Sequence, residues 1–157
     1  MPVMEWDDSF VLGINNFDAH HKRLIALLNM AFDGFTRSAV RDELAVVLDE
    51  LLKYAKYHFA AERSWMELNE YPGLVQHSEE HEIFTNKVIA FKKDVHGRKT
   101  SLSLEVLQFL MSWLTNHIIE PDGEYRRFIL FRAGRAAIWA PGGRRGRRWS
   151  RVGWGLK

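Results

Sequence analysis

Two histidines, His77 and His81, stand four residues apart in a run whose other members at the same phase are Leu74, Phe84, Val88, Phe91 and Val95. Steps of three and four are those of one face of an α-helix, and this face is otherwise apolar. Both imidazoles are therefore predicted on the buried side, where a polar ring needs a partner. An isolated pair of this kind can be satisfied by backbone carbonyls. Here the anomaly recurs on three further stripes, and the recurrence constrains fold and chemistry together.

The first helix is predicted from Asp18, as N-cap, to about Arg37, with Phe17, Leu24, Leu28, Ala31 and Phe35 on its seam and His21 among them. The second runs from about Val40 to Glu67 on Leu44, Leu48, Leu51, Ala55, His58, Glu62 and Trp65. Tyr71-Pro72-Gly73 breaks the chain. The third then runs from Leu74 to Val95 and stops at His96-Gly97. The fourth begins near Ser101 or Ser103 and reaches Ile119 on Val106, Leu110, Trp113 and His117, widened by Leu107, Leu114 and Ile118. Pro121 interrupts it, and the turn can fold Asp122 back toward His117 or leave it as an ordinary exposed turn residue. Ahead of the helices, Trp6, Phe10, Leu12 and Ile14 alternate loosely before the turn formers Gly13 and Asn15-Asn16, which reads as an extended arm laid on the body. Four amphipathic helices with short connections predict an all-α, up-down-up-down four-helix bundle with an extended N-terminal arm.

The charge places the domain boundary. Residues 126–157 carry nine Arg, one Lys and no acid, a charge of +10; the rest of the chain carries −8 within a net charge of +2. We expect a bundle domain over 1–132 and a basic, disordered Gly/Arg/Trp tail over 133–157, with Trp139, Trp149 and Trp154 spread through it. The tail has three readings: a basic arm for nucleic acid or anionic lipid, a solubilising tail, or an out-of-frame C-terminus. It lacks packing signals, so no functional role and no nucleic-acid partner are expected. No apolar run approaches a membrane span, and the first residues lack the pattern of a signal peptide, which gives cytoplasm as the expected compartment.

The polar residues in seam positions are His21; His58 and Glu62; His77 and His81; and His117, with Asp122 just after. Burying them unpaired costs roughly 1–3 kcal/mol each, against a typical total stability of about 5–15 kcal/mol. A metal centre removes that cost. Five nitrogens and two bridging carboxylates, with one solvent oxygen bridge, fill one six-coordinate ion and leave a second with an open position. There is no cysteine, so thiolate ligands are excluded; imidazole and carboxylate suit iron, manganese or zinc. His-Glu-x-x-His is absent, as is the Glu-x-x-His of the ferritin-like arrangement. Glu79, Glu80 and Glu82 read as a solvated face, and His20 and His96 as surface residues.

These segments resemble the hemerythrin family, in particular its single-domain bacterial members. Asp18-Ala19-His20-His21-Lys22 is similar to the family's first-helix segment, with His20 where Gln is frequent. His58 to Glu62 matches His-x-x-x-Glu, His77 to His81 matches His-x-x-x-His, and Trp113 through His117 to Asp122 matches His-x-x-x-x-Asp with its preceding Trp. The resemblance covers about residues 4–130. It implies two non-haem iron ions, cycling between Fe2+ and Fe3+ and bridged by an oxo or hydroxo group, that bind O2 reversibly. His77, His81 and His117 would hold the coordinatively full iron, His21 and His58 the one with the vacancy, and Glu62 and Asp122 would bridge. Leu24, Phe59, Trp113 and Ile118 would line a dry pocket for O2. An O2-binding protein and not an enzyme is expected: a carrier, a store or a sensor. The alternative is a di-metal oxidase or peroxidase on the same scaffold. These residues do not specify an oligomeric state.

Overall fold

The computed structural model describes residues 2–14, 16–37, 41–96 and 104–139. Among them are five α-helices and no strand: α1 Phe17–Thr36, α2 Arg41–Leu68, α3 Leu74–His96, α4 Leu104–Ile119 and α5 Pro121–Trp139. A 3₁₀ turn, Asp8–Phe10, lies in the N-terminal arm. α1 packs against α2 and α4, and α3 against the same two, so the first four helices close a ring in chain order. That is a four-helix bundle of the expected up-down-up-down kind.

The seams read from the periodicity are the core. Leu24, Leu28, Leu48, Leu51, Phe84, Val88, Leu107 and Leu110 are all buried in one cluster. A second cluster closes the end where the arm meets α5: Leu12, Ile14, Phe17, Met66 and Tyr125, with Tyr71 and Phe128 packed on it. Met4 and Phe10 of the arm are buried in the main core, as an arm laid on the body requires. Asn29 on α1 pins the arm's start, accepting from the Val3 and Met4 amides at 3.1 and 3.0 Å and donating to the Met4 carbonyl at 2.7 Å.

Three details differ from expectation. Asp18 is not the N-cap. α1 starts at Phe17 after Asn16, and the Asp18 carboxylate reaches back to accept from the Leu12 and Gly13 amides at 2.8 and 3.0 Å. The arm needs those acceptors because Gly13 turns with φ +65° and leaves its amides unpaired by any ladder. Pro121 does not end the helical structure. It opens α5 after the single residue Glu120, at the first helical position where a missing N–H costs nothing. α5 then runs past residue 132, so the helix straddles the boundary expected there. The helix start near Ser101 or Ser103, the stop at Gly97 and residues 140–157 of the tail lie outside the described residues.

Candidate metal centre

Each bundle helix brings its anomalous residues to one level. His21 comes from α1, His58 and Glu62 from α2, His77 and His81 from α3, and His117 from α4. Asp122 arrives because the α4–α5 turn is one residue long, which leaves it in the first turn of α5 immediately beyond His117. All seven are buried; His21 and Asp122 are 0% exposed and Glu62 1%.

Glu62 and Asp122 stand between two groups of imidazoles. On one side His81 Nε2 is 2.9 Å and His77 Nε2 3.2 Å from His117 Nε2. Asp122 Oδ1 approaches His77 and His117 Nε2 at 3.1 and 3.4 Å, and Glu62 Oε2 approaches His81 and His77 Nε2 at 3.2 and 3.8 Å. On the other side Glu62 Oε1 lies 3.4 Å from His58 Nε2 and 3.7 Å from His21 Nε2, and Asp122 Oδ2 lies 3.3 Å from His21 Nε2. Each carboxylate thus sends one oxygen to each side. One group of donors is His77, His81, His117, Glu62 and Asp122; the other is His21, His58 and Glu62, which Asp122 Oδ2 meets through His21.

Hydrogen bonds do not satisfy this cluster. Both ring nitrogens of His21, Glu62 Oε2 and both Asp122 oxygens are buried with no hydrogen-bond partner. The ring-to-carboxylate contacts, 3.1 to 3.8 Å long, leave these five atoms without a hydrogen bond. A cation accounts for the arrangement: bonds of about 2.1 Å put adjacent donors of an octahedral ion about 3.0 Å apart. Most of the donor separations here are close to that. The residues therefore fit metal ions, in two groups that share Glu62.

The electrostatics agree. Burial alone would raise the Glu62 and Asp122 carboxyls, but the surrounding imidazoles hold both well below the usual carboxylate range. Burial would lower His21 and His77, yet the Asp122 and Glu62 carboxylates beside them raise both to about 9. His58 and His117 are driven down by burial to about 3 and about 4. The two carboxylates thus favour positive charge on the rings beside them, as they would favour metal cations.

Two residues read as surface groups belong to the outer shell. Glu80 is half-buried, and its carboxylate accepts from His117 Nδ1 at 3.0 Å. It lies three residues after His77, on the flank of the seam that faces α4. His20 is 9% exposed, with its Nδ1 3.2 Å from His58 Nδ1 and its ring among Phe17, Tyr54 and Tyr57. Burial lowers its pKa, and the neighbouring His21 lowers it further. The side chain of His96 is outside the described residues.

The walls are apolar. Leu24 and Ile118 are fully buried, one turn after His21 and directly after His117. The Phe59 ring stacks on His81 at 3.8 Å between centroids, and the half-buried Trp113 stacks on His117 at 4.4 Å. These two rings therefore cover the three-imidazole side. Leu114, read from the sequence as widening the α4 seam, is 1% exposed in the same core cluster as Leu24, Phe59 and Ile118.

Residues 12–128 match the profile of the hemerythrin HHE cation binding domain. The chain is 32% identical over 124 residues to a bacteriohemerythrin of Clostridium acetobutylicum, covering 76% of this chain and 96% of that protein. It is 33% identical over 128 residues to a bacteriohemerythrin of Stenotrophomonas maltophilia, covering 80% of each. It is 35% identical over 121 residues to a hemerythrin-like protein of Naegleria gruberi, covering 77% of this chain and 89% of that one. The fold superposes on a crystal structure of a hemerythrin variant with a TM-score of 0.76 at 24% identity, covering 82% of this chain and 98% of that one.

Proposed function

Because the chain belongs to the hemerythrin family, we propose that it binds O2 reversibly at a di-iron centre held by His21, His58, Glu62, His77, His81, His117 and Asp122. The observation that carries this reading is the donor set itself: two carboxylates, each split between two groups of buried imidazoles, with five polar atoms left without hydrogen bonds. The side of His21 and His58 has one imidazole fewer and would leave its ion the open coordination position.

Two reduced iron ions bound here would supply that position and the electrons that O2 uptake draws on. The chain does the rest. Glu62 and Asp122 would offset part of the charge of two cations. The five imidazoles bind as neutral rings, so His21 and His77 give up their protons on loading. Glu80 holds the Nδ1–H of His117 and so aims its Nε2 inward. Leu24 walls the side of His21, Phe59 and Trp113 cover the three-imidazole side, and with Ile118 they keep water out, which protects a reversible binder from oxidation by proton delivery. Those apolar walls favour a binding protein, as carrier, store or sensor, over an enzyme with open substrate access.

The test is an O2 titration of the iron-loaded, anaerobically reduced protein followed by visible absorption. A charge-transfer band that appears with O2 and fades under argon is the expected result. Sustained O2 consumption over many turnovers would move the chain to the oxidase or peroxidase class. Absence of any band in protein carrying two irons would overturn the reading.

A further inference from the structure

We infer that His20 is a positioning residue for the metal centre, and that through His58 it governs occupancy of the side held by only two imidazoles. The inference rests on the di-iron reading above. His58 turns Nε2 toward Glu62 Oε1 at 3.4 Å and Nδ1 toward His20 Nδ1 at 3.2 Å. A ligand nitrogen must offer its lone pair, so a metal on Nε2 places the His58 proton on Nδ1. That proton then points at His20 Nδ1, which must accept it and carry its own proton on Nε2. Without a metal the opposite assignment is equally consistent with the distance: His58 Nε2–H facing Glu62, and His20 donating. The His20–His58 pair therefore has two hydrogen-bonded arrangements, and only one of them leaves His58 ready to bind.

The surroundings suit a fixed role. His20 is almost wholly buried, its ring edge-on to Tyr54 at 5.9 Å and tilted against Tyr57 at 5.2 Å, so it cannot swing away without losing packing. The other half of the centre is supported differently. There the acceptor for His117 is the Glu80 carboxylate, and a charged acceptor makes roughly twice the bond of a neutral one. The two-imidazole side thus has fewer nitrogens and a neutral outer partner, which makes it the weaker site and the one that His20 controls.

The test is a Co2+ titration of the metal-free full-length chain, followed by the visible absorption of bound cobalt. Three proteins are compared: wild type, His20→Phe and His20→Gln. Phenylalanine keeps the ring against Phe17 and Tyr54 but cannot accept a hydrogen bond; the glutamine carbonyl can. Wild type should take up two equivalents. In His20→Phe one equivalent should weaken by about 10–100-fold while the tighter one stays, as expected for loss of an outer-shell partner. His20→Gln should recover that equivalent to within a few-fold. Unchanged uptake by His20→Phe beside a two-equivalent wild type overturns the role of His20 and leaves the centre intact. Equal weakening of both equivalents, with a lower melting temperature of the metal-free protein, or failure of His20→Gln to recover binding, assigns the effect to packing and also overturns it. A wild type that takes up fewer than two equivalents overturns the centre itself and this role with it.

Discussion

Leu24 and His81 separate the two things a residue can do at this centre. Leu24 is fully buried one turn from His21 and offers no donor atom. Leu24→Ser should leave two metals bound, cost about 2–5 kcal/mol of stability through the cavity and buried hydroxyl, and speed autoxidation several-fold. Metal analysis together with the decay of the O2-bound spectrum reads both effects, and an unchanged decay rate would remove Leu24 from the pocket wall. His81 Nε2 stands 2.9 Å from His117 Nε2 and 3.2 Å from Glu62 Oε2. In His81→Ala we expect no more than one tightly bound metal per chain; two metals with a normal spectrum would exclude His81 as a ligand. Residues at seam phase announced themselves in the sequence as polar interruptions of an apolar stripe. Glu80 and His20 did not, because each lies beside the seam, where periodicity alone cannot tell a solvated residue from one turned toward a neighbouring helix.

At the scale of elements, the end of α2 stores a small, correctable strain. Glu70 has φ +52°, its amide donates to the Glu67 carbonyl at 3.1 Å, and the Tyr71 amide reaches the Met66 carbonyl at 3.0 Å. This is a helix-terminating motif that prefers glycine at the left-handed position. Glu70→Gly should therefore raise stability by up to about 1 kcal/mol. The exposed contact it gives up with Arg132, at 3.9 Å, is worth less than that. A lower denaturation midpoint in the variant would refute the expectation. The arm depends on the opposite device, a side chain that satisfies backbone donors. Asp18→Ala leaves the Leu12 and Gly13 amides without acceptors and should cost about 1–3 kcal/mol, seen as faster hydrogen exchange confined to the arm. Exchange unchanged there would mean that Asn29 and the packing of Met4 and Phe10 hold the arm without Asp18. Helix extents were close to legible from apolar phase, whereas α5 was not: a proline directly after an apolar run signals an end, and only the one-residue turn shows that it is also a beginning.

The whole molecule carries the pH dependence. In the metal-free protein His21 and His77 have pKa values raised from about 6.5 to about 9. Their stabilising contribution is complete below about pH 6.5, the unfolded value, and is lost as pH rises through 9. His58 and His117 are shifted the other way, to about 3 and about 4. Their contribution is present above about pH 6.5 and is lost as pH falls toward those values, where the lowered Glu62 and Asp122 carboxyls begin to lose theirs. The metal-free melting temperature should therefore peak near pH 6.5 and fall on both sides; a monotonic profile between about pH 4.5 and pH 9 would contradict this balance. Loading at neutral pH should release about two protons per chain, from His21 and His77, and so tighten as pH rises. An indicator-dye titration checks the count.

Local periodicity determined a great deal about this chain. An apolar stripe is a property of one helix, so the four seams, the bundle they form and the six polar residues at seam phase could all be read without knowing what each helix touches, whereas Asp122, beyond the seam, could not. The tertiary structure decided what depends on two helices at once. That Glu62 and Asp122 each divide their oxygens between two imidazole groups follows from how α2 and the start of α5 face α1, α3 and α4. The burial of His20 against α2 and the turn of Glu80 toward α4 follow from the same packing. A residue beside a seam takes its environment from its neighbour's side chains, and no spacing within its own helix carries that information.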